Sequence, residues 1–427
     1  FVLFVSLILC YNKRYLYMIR DFLSSATFDV VLDLILIIIG VLLVILFAHL
    51  AFFLWDHYKN EKKAVGIPWT LLEIVVPREI VKTPAAMELV YSNTIAPKLW
   101  FSLELVSIGG KIHFYIRTPT SIKDLIETQI YAQYPQAKVF EVEDYAFKIP
   151  EYTKDGNWYT WGCEFKKKKE DFLPIKTYKG FGEDMRTGIK EEFKVDPITP
   201  TIEFMGSLTE GQQMWVQILV RINSKKYYSE KKKKKIEFYD AGQEFLTKMF
   251  EPYQADTEGK TKAPKNLELS AKAVSEQLGQ LHFDCGIRLV TLSDKSLVSE
   301  DSFNSLRRSS RLIFRQYSSF LGNQFERVNS TEFENAWADP NGTAVHKAKA
   351  RMLDFYRMRT FFHPSLLYDL KYPSVLAPFF PAHKPEIFVL SNEELATIYH
   401  FPGMVSETPS FKRVDSKIAK PPSNLPI

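Results

Sequence analysis

Apolar side chains run almost unbroken from Leu34 to Trp55, LILIIIGVLLVILFAHLAFFLW, with His49 the one strongly polar interruption. A helix of that length rises ~33 Å, enough to cross the hydrocarbon core of a bilayer. Trp55 closes the stretch where an amphipathic ring suits the headgroup layer, and Lys59, Lys62 and Lys63 follow. A buried core helix this long would carry a polar face. The pattern therefore predicts a transmembrane helix over 28–56, behind an N-terminal segment 1–27 in which Met18 is a candidate start.

Beyond the anchor the period falls to two. Residues 57–98 read as a juxtamembrane linker and helix, with a short strand over Leu72–Val76 and a helix opened by Thr83-Pro84. Phe101, Leu103 and Leu105 then alternate with Ser102 and Glu104, Gly109-Gly110 supplies a turn, and Ile112, Phe114 and Ile116 alternate on the return. That is a β-hairpin with one buried face. Ser121 and Asp124 have capping-box spacing, opening a helix with Ile122, Leu125, Ile126 and Ile130 on one stripe. With the alternating Val139–Glu143 and a further strand at Asn157–Phe165, residues 99–166 predict an α+β unit of split-βαβ, ferredoxin-like type.

Residues 167–200 are charged and irregular, a joint between units. The pattern then recurs over 201–330. Ile202–Leu208 and Met214–Ile222 predict a second hairpin around Thr209-Glu210-Gly211, followed by helices at Lys234–Phe250 and Leu267–Leu278. A strand at Phe283–Leu292, a helix at Asp301–Tyr317 and a strand at Gln324–Val328 complete a second unit resembling the first. The segment 331–403 carries a helix over Ala344–Phe362, a proline-rich stretch, and the short helix SNEELATIYH. Ser391 and Glu394 give that helix a full capping box, and 404–427 reads as a linker toward a further domain. The expected fold class is α+β: an N-terminal transmembrane helix, then two ferredoxin-like units.

Charge sharpens this picture. The net charge is only +5, but lysines cluster at Lys166–Lys169, at Lys225–Lys226, and in the run Lys231, Lys232, Lys233, Lys234, Lys235. Solvated loops or contacts with anionic lipid or nucleic acid both fit such runs. Arg307, Arg308, Arg311 and Arg315 fall on one predicted helix, and Lys347, Lys349, Arg351, Arg357 and Arg359 on another. Their spacing suits a row of phosphates or a partner subunit, and inter-domain salt bridging fits it equally. Ser391, Glu394, Leu395 and Tyr399 mark a helix expected to dock the following domain, and Phe379, Phe380, Tyr399 and Phe401 read as exposed aromatics awaiting cover. Counted from Met18, lysines after the anchor outnumber basic residues before it, which places the body in the cytoplasm. Three scattered cysteines, Cys10, Cys163 and Cys285, suit a reducing compartment.

Catalytic signatures are missing from the sequence. No phosphate loop, HExxH, GxSxG or EF-hand loop occurs, so no catalytic residue, metal or cofactor is expected. His282 and Cys285 fall short of a four-ligand zinc set and read as core. Glu141 and Glu143, beside Asp144, read as a solvated strand face.

Four stretches carry a resemblance: LEIVVPREIVKTPAAMELVY, SLELVSIGGKIHFYIRTP, IYAQYPQAKVFEVEDY and VLSNEELATIYHFPGMVSETPSFKRVDSKIAKPPSNLPI. They resemble the membrane-anchored N-terminal region of conjugation-type (type IV secretion-like, FtsK/HerA-related) ATPases of candidate-phylum bacteria. The resemblance implies a DNA-pumping motor domain after the PPSNLP linker, and none of that motor's motifs falls within these 427 residues. The expected function is a membrane-tethered, cytoplasmic, non-catalytic platform of a DNA-translocation assembly, single-pass in the inner membrane. Its expected partners are the membrane, a motor ATPase domain or subunit, DNA, and further copies of itself. Two alternatives stay open: a membrane-bound nucleic-acid-binding protein without a motor, and an enzyme with an unrecognised site.

Overall fold

The structure is a computed structural model that describes residues 17, 26–65, 67–77, 82–94, 99–182, 195–254, 263–332, 339, 342–362 and 385–402. The first 16 residues, Phe379 and Phe380 in the proline-rich stretch, and the 404–427 linker lie outside the described residues. The chain divides into two compact units, and every described residue from Trp69 onward belongs to the second.

The N-terminal unit is one helix, α1 (Ala26–Val65). Within it Leu32–Phe52 has a mean hydropathy of 3.1 and is 0% buried, which makes the helix long and apolar enough to span a membrane.

In the second unit, one antiparallel sheet takes in nearly every strand. The elements are β1 (Trp69–Val75), α2 (Ala85–Asn93), β2 (Trp100–Ile108), β3 (Lys111–Pro119), α3 (Lys123–Gln133), β4 (Lys138–Val142) and β5 (Trp158–Lys167). They continue as α4 (Thr199–Gly206), β6 (Gln212–Ile222), β7 (Tyr227–Ser229), β8 (Lys234–Ile236), α5 (Phe238–Gln254), α6 (Lys265–Leu278) and β9 (His282–Asp294). Last come α7 (Glu300–Ser310), β10 (Phe325–Val328), α8 (Thr343–Met358), β11 (Phe388–Ser391) and α9 (Asn392–Ile398). The strands run β10-β5-β9-β6-β2-β3-β1-β4, with β11 extending the pairing of β9, while β7 and β8 form a separate hairpin.

The strand order repeats. In β4-β1-β3-β2, as in β10-β5-β9-β6, the first strand lies between the third and fourth, and a helix joins first to second and third to fourth. The two groups meet where β2 pairs with β6, Glu104 opposite Gln217. The first group thus begins at Trp69, upstream of residue 99, and β5 belongs to the second group.

One face packs on α2, α3, α4, α7 and α9, through Met87, Ile130, Met205, Phe303 and Leu395 against strand residues such as Leu103, Ile218 and Leu289. The other face packs on α8 through Met352, Leu353 and Tyr356, against Val106, Trp215, Val290 and Leu292.

Several sequence expectations are corrected here. The arm Ile202–Leu208 is helix as far as Gly206: α4 carries Pro in its first turn and buries Ile202 and Met205, three residues apart on one face. The expected one-sided hairpin is covered on both sides, since Ser102 and Glu104 are as buried as Leu103. Neither α2 nor α3 has a side-chain N-cap, because Pro84 and Ile122 hold those positions instead of Thr83 and Ser121. The helix expected over Asp301–Tyr317 ends at Ser310. Lys234 and Lys235, expected to open a helix, pair in β8.

Candidate functional site

A file of polar residues crosses the α8 face of the sheet. In register, Glu104 of β2 lies opposite Gln217 of β6, Gln217 opposite Arg288 of β9, and Arg288 opposite Glu164 of β5. All four are fully buried. Gln217 donates through Nε2 to Glu104 Oε1 at 3.1 Å, and Arg288 donates through Nη1 to Gln217 Oε1 at 3.3 Å and through Nη2 to Glu164 Oε1 at 2.7 Å. Glu164 Oε2 accepts from Asn329 at 2.8 Å.

The segment that ends α8 closes this file from above. Arg288 also donates to the carbonyls of Phe355 and Thr360, at 2.9 and 3.1 Å, and Gln217 to that of Tyr356 at 3.0 Å. Arg359, 1% exposed with φ +52°, reaches both Glu104 and Asp144. The left-handed turn there aims the guanidinium inward, where a continuing helix would carry it past.

Glu104 accepts five hydrogen bonds: from Ser102, Gln217, Tyr145 and two from Arg359. Burial opposes its charge, yet the Arg359 guanidinium and the hydrogen bonds from Arg359, Ser102 and Tyr145 outweigh that and hold its carboxyl at about 2. Burial pushes the Tyr145 and Tyr356 phenols well up. Arg117, 4.5 Å from the Trp69 ring, is lowered to about 10 by burial and then by Arg359. This file is an internally matched scaffold, its ions consumed by one another.

The expected basic faces fare differently. Arg307 and Arg311 are part-buried and share the carboxylate of Glu332, while Arg311 also sits 5.7 Å over the Trp161 ring. Arg308, Arg315 and Lys347 are exposed. Arg351 is half-buried and engaged in contacts of its own. Arg357 turns inward onto the carbonyls of Ala146 and Pro150, at 3.0 and 2.9 Å. Lys349 has no ion pair among the described residues. Burial, and then the charges of Arg307 and Lys295, lower its pKa. Two helices distant in sequence thus place Arg307 and Lys349 within electrostatic reach, joined by Arg308, Arg311 and Arg327.

The lysine runs divide. Lys231–Lys235 form the exposed turn and second strand of the β7–β8 hairpin, Lys232 lying 3.8 Å from Asp240. Lys167, by contrast, is buried on Glu394 at 2.8 Å, and Lys225 and Lys226 pair with Asp171 and Glu237.

The helix expected to dock a following domain is occupied by this one. Its capping box is present, with the Ser391 side chain accepting from the Glu394 amide. Glu394 also accepts from the Ile175 amide at 2.9 Å and from Gln277 at 2.9 Å. Leu395, Tyr399 and Phe401 are 0% exposed, so two of the four aromatics expected to await a partner, Tyr399 and Phe401, already have cover. Tyr399 and Phe401 pack edge-on against Phe114. Asp284, beside Cys285, holds Arg221 and Ser224. Glu141 is exposed and bonds Lys123 at 2.7 Å, but Asp144 belongs to the Arg359 cluster.

Fold and site together define a class: an α+β body built on one antiparallel sheet with an internal charge file, behind an apolar helix of membrane-spanning length. The chain belongs to the family described as a domain of unknown function, DUF8128, whose model matches residues 90–413. No curated protein matches it.

Proposed function

We propose that this chain is a membrane-tethered, non-catalytic platform for a type IV secretion- or conjugation-like DNA-translocating ATPase. In this reading it passes once through the inner membrane and holds its body in the cytoplasm. The observation that carries the reading is α1, an exposed apolar helix that runs on through a lysine-bearing stretch to Val65, four residues before β1 begins. The lysines on that side favour a cytoplasmic body. Each four-strand group is read as a ferredoxin-like unit, on its repeated strand order. Buried, mutually satisfied charges stiffen such a body, as a support for moving parts requires. A motor ATPase and further copies of the chain are the proposed partners.

The test is a pair of reporter fusions at Ile427, one active only outside the cytoplasm and one only inside, followed by detergent extraction of the membranes. Signal from the inner reporter, with the chain in the membrane fraction, is expected. Signal from the outer reporter overturns the orientation, and a chain released by salt alone overturns the tether.

A second reading, a membrane-bound nucleic-acid-binding protein without a motor, is favoured by the gathering of Arg307, Arg308, Arg311, Arg327 and Lys349. Steeply salt-dependent duplex binding by the chain alone favours that reading over the first.

A further inference from the structure

At one end of β1, β2 and β3, neighbouring strands bring a guanidinium and two indoles together. Arg117 of β3 lies in register between Leu71 of β1 and Ser102 of β2. Trp69 and Trp100 stand two residues before those partners, on the same face by the alternation of side chains. Their ring centroids are 4.3 Å apart, and the Arg117 guanidinium carbon sits 4.5 Å from the Trp69 ring and 5.9 Å from that of Trp100. All three residues are half-buried.

Arg117 is short of acceptors. Among the described residues it makes no hydrogen bond and no ion pair. Glu104 and Asp144 attract it through space, but both are bonded to Arg359, whose own charge opposes it. Arg221, opposite Trp100 in register, is held by Asp284 at 3.1 Å. The fully buried guanidiniums, those of Arg288, Arg357 and Arg359, all have oxygen acceptors. Beside Arg117 the two rings offset the charge, yet a ring face is no substitute for the oxygens that a fork of N–H donors takes in its plane. An oxyanion supplies what is missing.

The site lies where the chain enters the body. Trp69 opens β1 four residues after α1 ends at Val65, and the Thr120 amide donates to the Pro68 carbonyl at 2.8 Å, pinning the incoming chain beside the end of β3. Tryptophan is enriched where membranes meet water, the depth at which lipid phosphates lie.

We propose that Arg117, flanked by Trp69 and Trp100, binds the phosphate of a membrane lipid. The choice of a lipid rests on the membrane tether, because a soluble phosphate offers the same oxyanion. The choice of an oxyanion rests on the unbonded guanidinium alone.

The test uses the full chain in a nonionic detergent and counts retained lipid by native mass spectrometry. The probes are phosphatidylglycerol, diacylglycerol of the same acyl chains, and inorganic phosphate. Lipids around α1 bind parent and variants alike, so the difference between them reads the site. The parent is expected to retain one phosphatidylglycerol more tightly than the rest. Arg117→Met is expected to weaken that one at least ~10-fold, the contribution of one charge-assisted contact, and Arg117→Lys, which keeps the charge and loses the fork, to fall between. Diacylglycerol should show no such difference. Phosphatidylglycerol should raise the Tm of the parent and leave that of Arg117→Met where it was, which separates loss of the site from loss of the fold. Displacement of the tight lipid by inorganic phosphate at equal concentration keeps the phosphate site and assigns it to a soluble ligand. Phosphatidylglycerol retained equally by the parent and both variants overturns the proposal and leaves the tether standing. A chain that salt releases from membranes, yet shows the Arg117-dependent lipid, overturns the tether and leaves the site.

Discussion

Arg359 and Glu104 lie side by side in the interior, the guanidinium donating through Nε to Oε1 at 2.9 Å and through Nη2 to Oε2 at 3.0 Å. The two residues are 255 positions apart, and both side chains are wholly buried. This pair joins the turn after α8 to the strand at the centre of the sheet, so it fixes the position of everything α8 carries.

Breaking the pair from one side should be costly. Arg359→Met leaves the Glu104 carboxylate buried without its main counter-charge, a loss of roughly 3–5 kcal/mol. Glu104→Gln with Arg359→Met removes both charges and should recover much of that loss. Urea denaturation of the two variants and the parent measures this. A double variant no more stable than Arg359→Met alone refutes the coupling.

Acid should unfold the body in two stages. His282, its ring centroid 4.2 Å from that of Phe238 with the planes tilted by 39°, has its pKa lowered to about 4 by burial. A depressed histidine means the unfolded chain binds the proton first, so stability falls as pH drops from ~6.5 toward 4. Glu104 acts lower down, because its stabilisation is complete above the ordinary value of 4.5 and disappears as pH falls toward about 2. That second stage is worth about 3 kcal/mol. His282→Gln should flatten the upper stage alone, as read from thermal melts against pH.

The aromatic cover on β9 needs a glycine beneath it. A Cβ at Gly286 would come within 2.1 Å of the Phe361 ring, which is 2% exposed. Gly286→Ala should therefore cost roughly 1–3 kcal/mol through overpacking. Phe361→Leu in the same chain should return part of it, and additive losses in the double variant count against the contact.

The arginines separate by role. Arg307→Glu with Arg311→Glu places three carboxylates together around Glu332 and should lower Tm. Arg308→Glu with Arg315→Glu changes exposed side chains and should leave Tm unchanged. If the face meets nucleic acid, the exposed pair should reduce the salt slope of binding by ~0.9 for each phosphate no longer neutralised. A slope unchanged in the exposed pair makes those two arginines solvated surface.

Local signals are legible where one residue type decides the geometry. Gly109 and Gly110 at positive φ announce the β2–β3 turn, and Ser391 with Glu394 announces α9. The short apolar run at 202–208 fits a strand or a helix equally by periodicity, and it is the Thr199-Pro200 start signal just ahead of it that decides for helix. The charge file is hidden for a different reason. Ser102 and Glu104 have the spacing of a solvent face, and nothing local to β2 reveals that Arg359 lies over them. Lys167 and Glu394 pose the same difficulty, each ordinary alone and paired across 227 positions (394 minus 167).

The strands at the two edges of the sheet are short: β4 has five residues and β10 four. So few backbone groups make a poor template for annealing to a neighbour's strand. If copies of this chain gather in a membrane, as proposed, they would have to recognise one another through side chains, and many on this surface are charged. Their cohesion should follow ionic strength, tightening in dilute buffer and loosening in brine, and the family would be free to retune it by exchanging surface charges without disturbing the sheet.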